Sequence, residues 1–248
     1  MPARTSFEKK AFHFSVPKEA KLSTRALMRG GAKARNGQLV LTDKQVVRYE
    51  REMNRLGLAR EKIDYWAKKF YEMMPESKTL NSGEPYSLRG YGPIMAFIRS
   101  IYKGNLKGKK ICEIGFGSTE FMELLKEQGA KMFGIDESPS QQKQVKGLRA
   151  EWGYADGLNK SFKGRFDVIY SKDCITSARG YPDLNLFTAK TLHGKLNKGG
   201  FLVLSSSTAH LNFDEAMLRK AGFRILVPKT ILKTKHILYD GIMILQKI

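Results

Sequence analysis

The sequence predicts an α/β fold, a mostly parallel sheet covered by helices, behind a helical N-terminal extension. Three observations predict it. From Lys109 onward, short apolar runs alternate with amphipathic segments that carry start and stop signals. Before Lys109, three helical patterns follow one another. Between the first apolar run and the helix after it stands a glycine-spaced turn, "GFG" at 115–117.

Residues 1–41 read as an irregular basic arm, with "RGGAKARNG" showing no clean period. Residues 42–108 read as a helical region. "LTDKQVVRYEREMNRLG" predicts the first helix, with Thr42 and Gln45 as a capping box and Gly57 as its stop. "LAREKIDYWAKKFYEMMP" predicts the second, its core face carrying Ile63, Trp66, Phe70 and Met73, and Pro75 stopping it. "ESKTLNSGEPYSLRGYG" predicts a loop, and Pro93 opens a third helix through "IMAFIRSIYKG".

Residues 109–248 read as the α/β core. "KICEIGF" predicts a buried strand, "TEFMELLKEQG" a helix and "KMFGIDE" the second strand. "SPSQQKQVKGLRAEWG" predicts a helix capped by Ser138 and Gln141, with a short third strand near "WGYAD". "RFDVIYSKD" predicts the fourth strand, "LNLFTAKTLHGKLNKGG" a helix with a glycine stop, and "FLVLSSS" the fifth strand. "FDEAMLRKAGF" predicts a last helix, followed by two β-rich stretches, "FRILVP" and "HILYDGIMILQKI".

Composition narrows the functions. No apolar run reaches the roughly 18–20 residues that cross a bilayer, and the N-terminus lacks the uninterrupted apolar stretch of a secretory signal. A cytoplasmic protein is expected. Cys112 and Cys174 lie in strand-like runs without a C-x-x-C, and the four histidines are scattered, so neither disulfides nor a metal site are predicted. The net charge is +20, and it is uneven. Residues 1–110 hold 24 Lys/Arg and 10 Asp/Glu, a net +14, and the remainder contributes +6. A field of that kind attracts polyanions, RNA among them.

The glycine loop implies a ligand. Gly115 lets the chain turn off the strand, and Gly117 leaves the backbone open to close approach. The helix that follows aims free N–H groups and a positive dipole end at the site. Asp136, about twenty residues on at the end of the second strand, is placed to accept from both hydroxyls of a ribose. A dinucleotide fingerprint needs a third glycine where Glu120 stands, and a carboxylate there repels a pyrophosphate. Glu113, two residues before Gly115, suits a cationic amino group instead. S-adenosyl-L-methionine has an amino group and a sulfonium, and no phosphate.

From Lys109 to Ile248 the chain resembles the class I S-adenosylmethionine-dependent methyltransferases. "EIGFGST" matches three of the four fixed positions of their first motif, E-x-G-x-G-x-G, with Thr119 at the last glycine. "GIDES" resembles the segment bearing the ribose-binding acid, and "YADGL" the segment that reaches the adenine. "FDVIYSKD" and "LNKGGFLVLSS" resemble the fourth- and fifth-strand motifs, and "AGFRILVP…YDGIMILQKI" looks like the closing antiparallel pair. The resemblance implies a Rossmann-like methyltransferase fold with a seven-stranded sheet, mostly parallel, whose final strand is antiparallel. It implies S-adenosyl-L-methionine as cofactor, held by Glu113, Gly115, Phe116, Gly117, Ser118, Thr119, Asp136, Glu137, Asp156, Gly157, Leu158 and Ser171.

The substrate is less legible. Residues after the fourth strand face the methyl group in this family, which makes Asp173 a candidate general base and Lys172 a candidate partner for an oxyanion or phosphate. Cys174 lacks the preceding proline of a nucleophilic cysteine and reads as packing. Tyr86, Arg89 and Tyr91, on a loop just before the core, suit stacking and phosphate contact. RNA methylation is the leading expectation. A small-molecule methyltransferase using the helices as a lid, and a non-catalytic RNA-binding member, are the alternatives.

Overall fold

The computed structural model describes residues 29–31, 33–35, 38–73, 91–116, 119–136, 148–152, 162–175, 185–206, 214–227 and 241–248. The first described elements are two short strands, β1 (Lys33–Arg35) and β2 (Gln38–Val40), paired antiparallel. They lie inside the stretch that reads as irregular, because three-residue strands leave no periodicity to detect.

Three helices follow, α1 (Asp43–Arg55), α2 (Arg60–Met73) and α3 (Tyr91–Ile101). The predicted cap of α1 forms: Gln45 Oε1 accepts from the Thr42 backbone N–H at 3.0 Å and from its hydroxyl at 3.1 Å. On α2, Ile63 and Trp66 pack half-buried against the core, and the Arg99 guanidinium lies 5.0 Å over the Trp66 ring. The other two residues predicted for that face, Phe70 and Met73, have side chains outside the described set. Helix α3 begins at Tyr91, two residues ahead of Pro93. Proline is tolerated in a first turn because its missing N–H has no intrahelical partner there. Tyr91 is therefore a buried helical residue and not part of a loop.

The core follows as β3 (Lys110–Ile114), α4 (Glu120–Glu127), β4 (Lys131–Asp136), β5 (Arg149–Trp152) and β6 (Phe166–Lys172). It closes with α5 (Leu186–Lys195), β7 (Leu196–Ser206), α6 (Glu215–Lys220), β8 (Phe223–Val227) and β9 (Gly241–Lys247). Seven strands form one sheet in the order β5-β4-β3-β6-β7-β9-β8. All are parallel except β9, which runs antiparallel to both β7 and β8. The Rossmann-like methyltransferase fold is thereby present, with its antiparallel final strand. The strand order reverses between β3 and β6, the switch point at which open α/β sheets bind ligands.

Alternation along the strands builds a core on each face. Ile111, Met132, Val168, Tyr170, Phe201, Val203, Ile242 and Ile244 pack with α1, α3 and α4. Cys112, Ile114, Phe133, Ile135, Ile169, Leu202, Met243 and Leu245 pack with α5 and α6 on the other side. Two boundaries differ from expectation. Arg149–Trp152, at the end of a predicted helix, pairs with Phe133–Asp136 as edge strand β5, so tertiary pairing overrides the local helical pattern. The predicted glycine stop of α5 instead lies within β7: the β6–β7 register slips between Phe166 and Val168, with Gly199 at φ +76° in the irregular stretch. Among the described residues, no helix is long and apolar enough to cross a membrane.

Candidate functional site

The C-terminal ends of β3, β4 and β6 converge at the switch point, and the sequence places its polar candidates there. Gly115 leaves β3 at φ +70°, and its N–H donates to the Ile135 carbonyl at 2.7 Å. A Cβ at this position would lie 2.3 Å from both Cβ and Sγ of Cys174. The glycine is thus demanded by the chain's own turn and by the segment after β6. Phe116 is buried against β4, where Gly134 makes room: a Cβ on Gly134 would stand 2.7 Å from the Phe116 ring. Gly117 and Ser118 lie outside the described residues. Thr119, at the position of the missing glycine, is buried and turns its hydroxyl to Glu123 Oε1 at 3.1 Å, within the first turn of α4.

Glu113 is fully buried one residue from the end of β3. Its two oxygens accept from two tyrosines: Oε1 from the Tyr91 hydroxyl at 2.9 Å and Oε2 from the Tyr170 hydroxyl at 2.5 Å. Tyr170 is its register partner on β6, and Tyr91 reaches in from α3, stacked on Phe121 at 4.4 Å. Burial pushes the Glu113 carboxyl up to about 8. The two tyrosine hydroxyls and Lys172 pull it down, and Asp136 pushes it further up. Burial, then the Glu113 charge, hold both phenols well above the usual tyrosine range, so they remain donors.

Asp136, the last residue of β4, is buried. At the end of β6, Ser171 is buried and its Oγ accepts from the Ile175 N–H at 3.1 Å, which folds the following turn back on the strand. Lys172 Nζ donates to Asp173 Oδ2 at 2.7 Å and lies 5.4 Å over the Tyr91 ring. Asp173 has φ +58° and its N–H donates to the Ser205 carbonyl at 2.8 Å. Aspartate is among the residue types that visit the left-handed region.

The structure thus brings Glu113, Gly115, Phe116, Thr119, Asp136, Ser171, Lys172, Asp173 and Tyr91 to one end of the sheet. Glu137, Asp156, Gly157, Leu158, Tyr86 and Arg89 lie outside the described residues. Two members escaped sequence reasoning. Tyr170 hides among the apolar residues of β6, and only its register against Glu113 reveals it. Glu120 reads as an obstacle to phosphate, yet its Oε2 is buried without a hydrogen-bond partner among the described residues. Glu120 and Asp173 both add negative field at Tyr91, as Asp136 does at Glu113. In a chain of net +20, the described residues of the site include the carboxyl groups of Glu113, Glu120, Asp136 and Asp173 and the lysine Lys172. That donor set fits a cationic ligand and disfavours a pyrophosphate.

A family profile described as a methyltransferase domain matches residues 89–236. No curated protein matches the sequence. Among solved structures, similarity is found to a magnesium protoporphyrin IX methyltransferase from Synechocystis PCC 6803 with bound SAM, at 19% identity and TM-score 0.48, covering 84% of this chain and 98% of that one. An S-adenosylmethionine dependent methyltransferase from Mesorhizobium loti is similar at 15% identity and TM-score 0.44, covering 58% and 93%. A T. thermophilus 16S rRNA methyltransferase in complex with AdoMet and guanosine is similar at 17% identity and TM-score 0.48, covering 68% and 45%.

Proposed function

The chain belongs to the methyltransferase-domain family and is an S-adenosylmethionine-dependent methyltransferase, and on that premise we propose that its methyl acceptor is RNA. The observation that carries this reading is a basic stripe on α1. Lys44, Arg48, Arg51 and Arg55 recur at spacings of four, three and four, and all are exposed. The opposite face, Gln45, Tyr49, Glu52 and Met53, is buried. At the end of α1, Arg55 pairs with Glu52 at 3.0 Å, and on α2 Arg60 pairs with Asp64 at 3.2 Å and Lys68 with Glu72 at 3.9 Å. Lys44, Arg48 and Arg51 present the charge of α1 outward in a line, a form that suits a phosphate backbone.

The cofactor supplies an electrophilic methyl group. In this reading the chain's residues bind and orient. Glu113 faces the cofactor's amino group and Asp136 its ribose hydroxyls. Asp173, steadied by Lys172, accepts the proton from the acceptor atom. Much of the rate comes from holding the acceptor in line, which makes positioning the main task of these residues.

Asp136→Ala is expected to weaken binding of S-adenosylhomocysteine by about 1–3 kcal/mol, the scale of a lost partner for a buried charged hydrogen-bonding group. Titration calorimetry reads this directly, and unchanged affinity removes Asp136 from the site. The RNA assignment is tested with tritiated cofactor and bulk ribosomal and transfer RNA, comparing wild type with Lys44→Ala/Arg48→Ala/Arg51→Ala. The triple variant is expected to keep cofactor affinity, to bind RNA at least tenfold more weakly at low salt, and to lose about 2 from the log–log salt slope. If the wild type binds cofactor but neither binds nor labels RNA, the RNA reading fails. The acceptor is then a small molecule, consistent with the cover that α3 places over Glu113 through Tyr91.

A further inference from the structure

We propose that Tyr91 and Tyr170 are positioning residues for the methyl transfer, holding the Glu113 carboxylate between α3 and β6 so that cofactor binding is coupled to the seating of α3. The proposal rests on the S-adenosylmethionine reading of the site, and it goes beyond that reading in adding two residues and a consequence.

The geometry is specific. A carboxylate offers about four lone-pair sites. The tyrosines take two of them, one on each oxygen, and leave capacity for a cationic amino group. The two donors come from different elements, and both rings meet Phe121. Tyr170 stands on the neighbouring strand, in register with Glu113, and is part of the rigid sheet. Tyr91 is the first residue of α3, a helix of the N-terminal region, and the stretch before it, 74–90, lies outside the described residues. The Tyr91 ring stacks on Phe121 of α4 at 4.4 Å, and the Lys172 ammonium lies 5.4 Å from its centre. One side chain therefore touches the Glu113 carboxyl, the helix after the glycine loop and the lysine of the Lys172–Asp173 pair. A change at the N-terminus of α3 is transmitted to the methionine end of the site through a single hydroxyl.

The consequence is a pH dependence. The groups facing Glu113 are Tyr91 from α3, Tyr170 and Lys172 from β6, and Asp136 from β4, with Cys112 beside it on β3. Glu120 from α4 and Asp173 from the turn after β6 add charge at Tyr91. Burial pushes the Glu113 carboxyl up to about 8, and only its ionised form attracts an ammonium. Donors to the ionised form lower a carboxyl's pKa, so removing the Tyr91 hydroxyl raises it further. Tyr91→Phe keeps the ring and its stacking, which makes the substitution selective for the hydrogen bond.

The test is titration of the full chain with S-adenosylhomocysteine between pH 6.5 and 8.5, for wild type, Tyr91→Phe, Tyr170→Phe and Glu113→Gln. The ligand's own amino group is common to every arm, so differences between curves belong to the chain. In parallel, the Glu113 carboxyl is followed by carbon NMR in cofactor-free protein, assigned by its loss in Glu113→Gln. Wild-type affinity is expected to rise with pH. In Tyr91→Phe that rise is expected at higher pH, giving about a three- to tenfold loss at pH 7.5 that closes toward pH 8.5. The NMR midpoint is expected to move up in both tyrosine variants, and Glu113→Gln is expected to bind weakly with a flat profile. Wild-type and Tyr91→Phe curves that superimpose, or that differ by the same factor at every pH, would overturn the proposal and leave the tyrosines structural. A wild type that binds at no pH would overturn the cofactor assignment of this site together with the proposal, and the NMR midpoints would still show whether the tyrosines govern Glu113.

Discussion

Gly115→Ala is expected to destabilise the protein by about 2–5 kcal/mol, the largest loss predicted for any single methyl group in the site. Two costs combine. At φ +70° the alanine sits in the left-handed region, worth roughly 1–2 kcal/mol. Its Cβ would also lie 2.3 Å from Cβ and Sγ of Cys174, and overpacking of that kind costs typically about 1–3 kcal/mol. The contact with Cys174 Cβ means that Cys174→Ala does not relieve the clash, whereas Cys174→Gly does. A double-mutant cycle with Gly115→Ala and Cys174→Gly, read by urea unfolding, separates the two costs. The pair is expected to recover the packing component and to retain the conformational one. Gly115→Ala with an unfolding midpoint equal to wild type would show that the turn relaxes freely and that this account of the glycine is mistaken.

The second large effect is on stability against pH in cofactor-free protein. The Glu113 carboxyl is raised to about 8 in the fold, chiefly by burial, against roughly 4.3 in the unfolded chain. Below the unfolded value the group is protonated in both states and contributes no pH dependence. Between the two values the folded state holds a proton that the unfolded state has released, so rising pH favours unfolding. Above about 8 both states are ionised and the loss levels off. Each pH unit in the window removes at most about 1.4 kcal/mol, and the total is on the order of 3–5 kcal/mol. Other carboxylates add their own slopes, so the quantity to measure is the difference between wild type and Glu113→Gln from pH 5 to pH 9. Wild type is expected to fall relative to the variant across that range. Parallel profiles would mean that the two tyrosines and Lys172 keep Glu113 ionised throughout.

Both effects arise at positions that the sequence singles out, and in both part of the cause lies elsewhere in the chain. The apolar alternation of β3, β4 and β6, the capping pair Thr42–Gln45 and the strand–helix rhythm after Lys109 are set by residues within a few positions of one another. Patterns of that range are readable directly. Tyr91 was legible as a residue of interest but not in its setting, because the glycine-rich stretch before Pro93 looks like a loop while the packing of "YGPIMAFI" against the sheet makes it helix from Tyr91. The stripe Lys44, Arg48, Arg51 and Arg55 has helical spacing in the sequence, but its outward presentation depends on the burial of Tyr49 and Met53 behind it.

The amino-acid sequence was enough to specify an α/β core with a glycine loop after its first strand, an acid at the end of its second, and a basic region ahead of both. These follow from periodicity, turn chemistry and charge, which act between near neighbours along the chain. The tertiary structure alone decided that Glu113 meets Tyr170, 57 residues away, and Tyr91, 22 residues away, and that Gly115 is hemmed in by Cys174. Those contacts depend on the register of β3 against β6 and on how α3 lies on the sheet. Register is a property of two strands together, settled by the packing of whole faces and not by either segment's own residues.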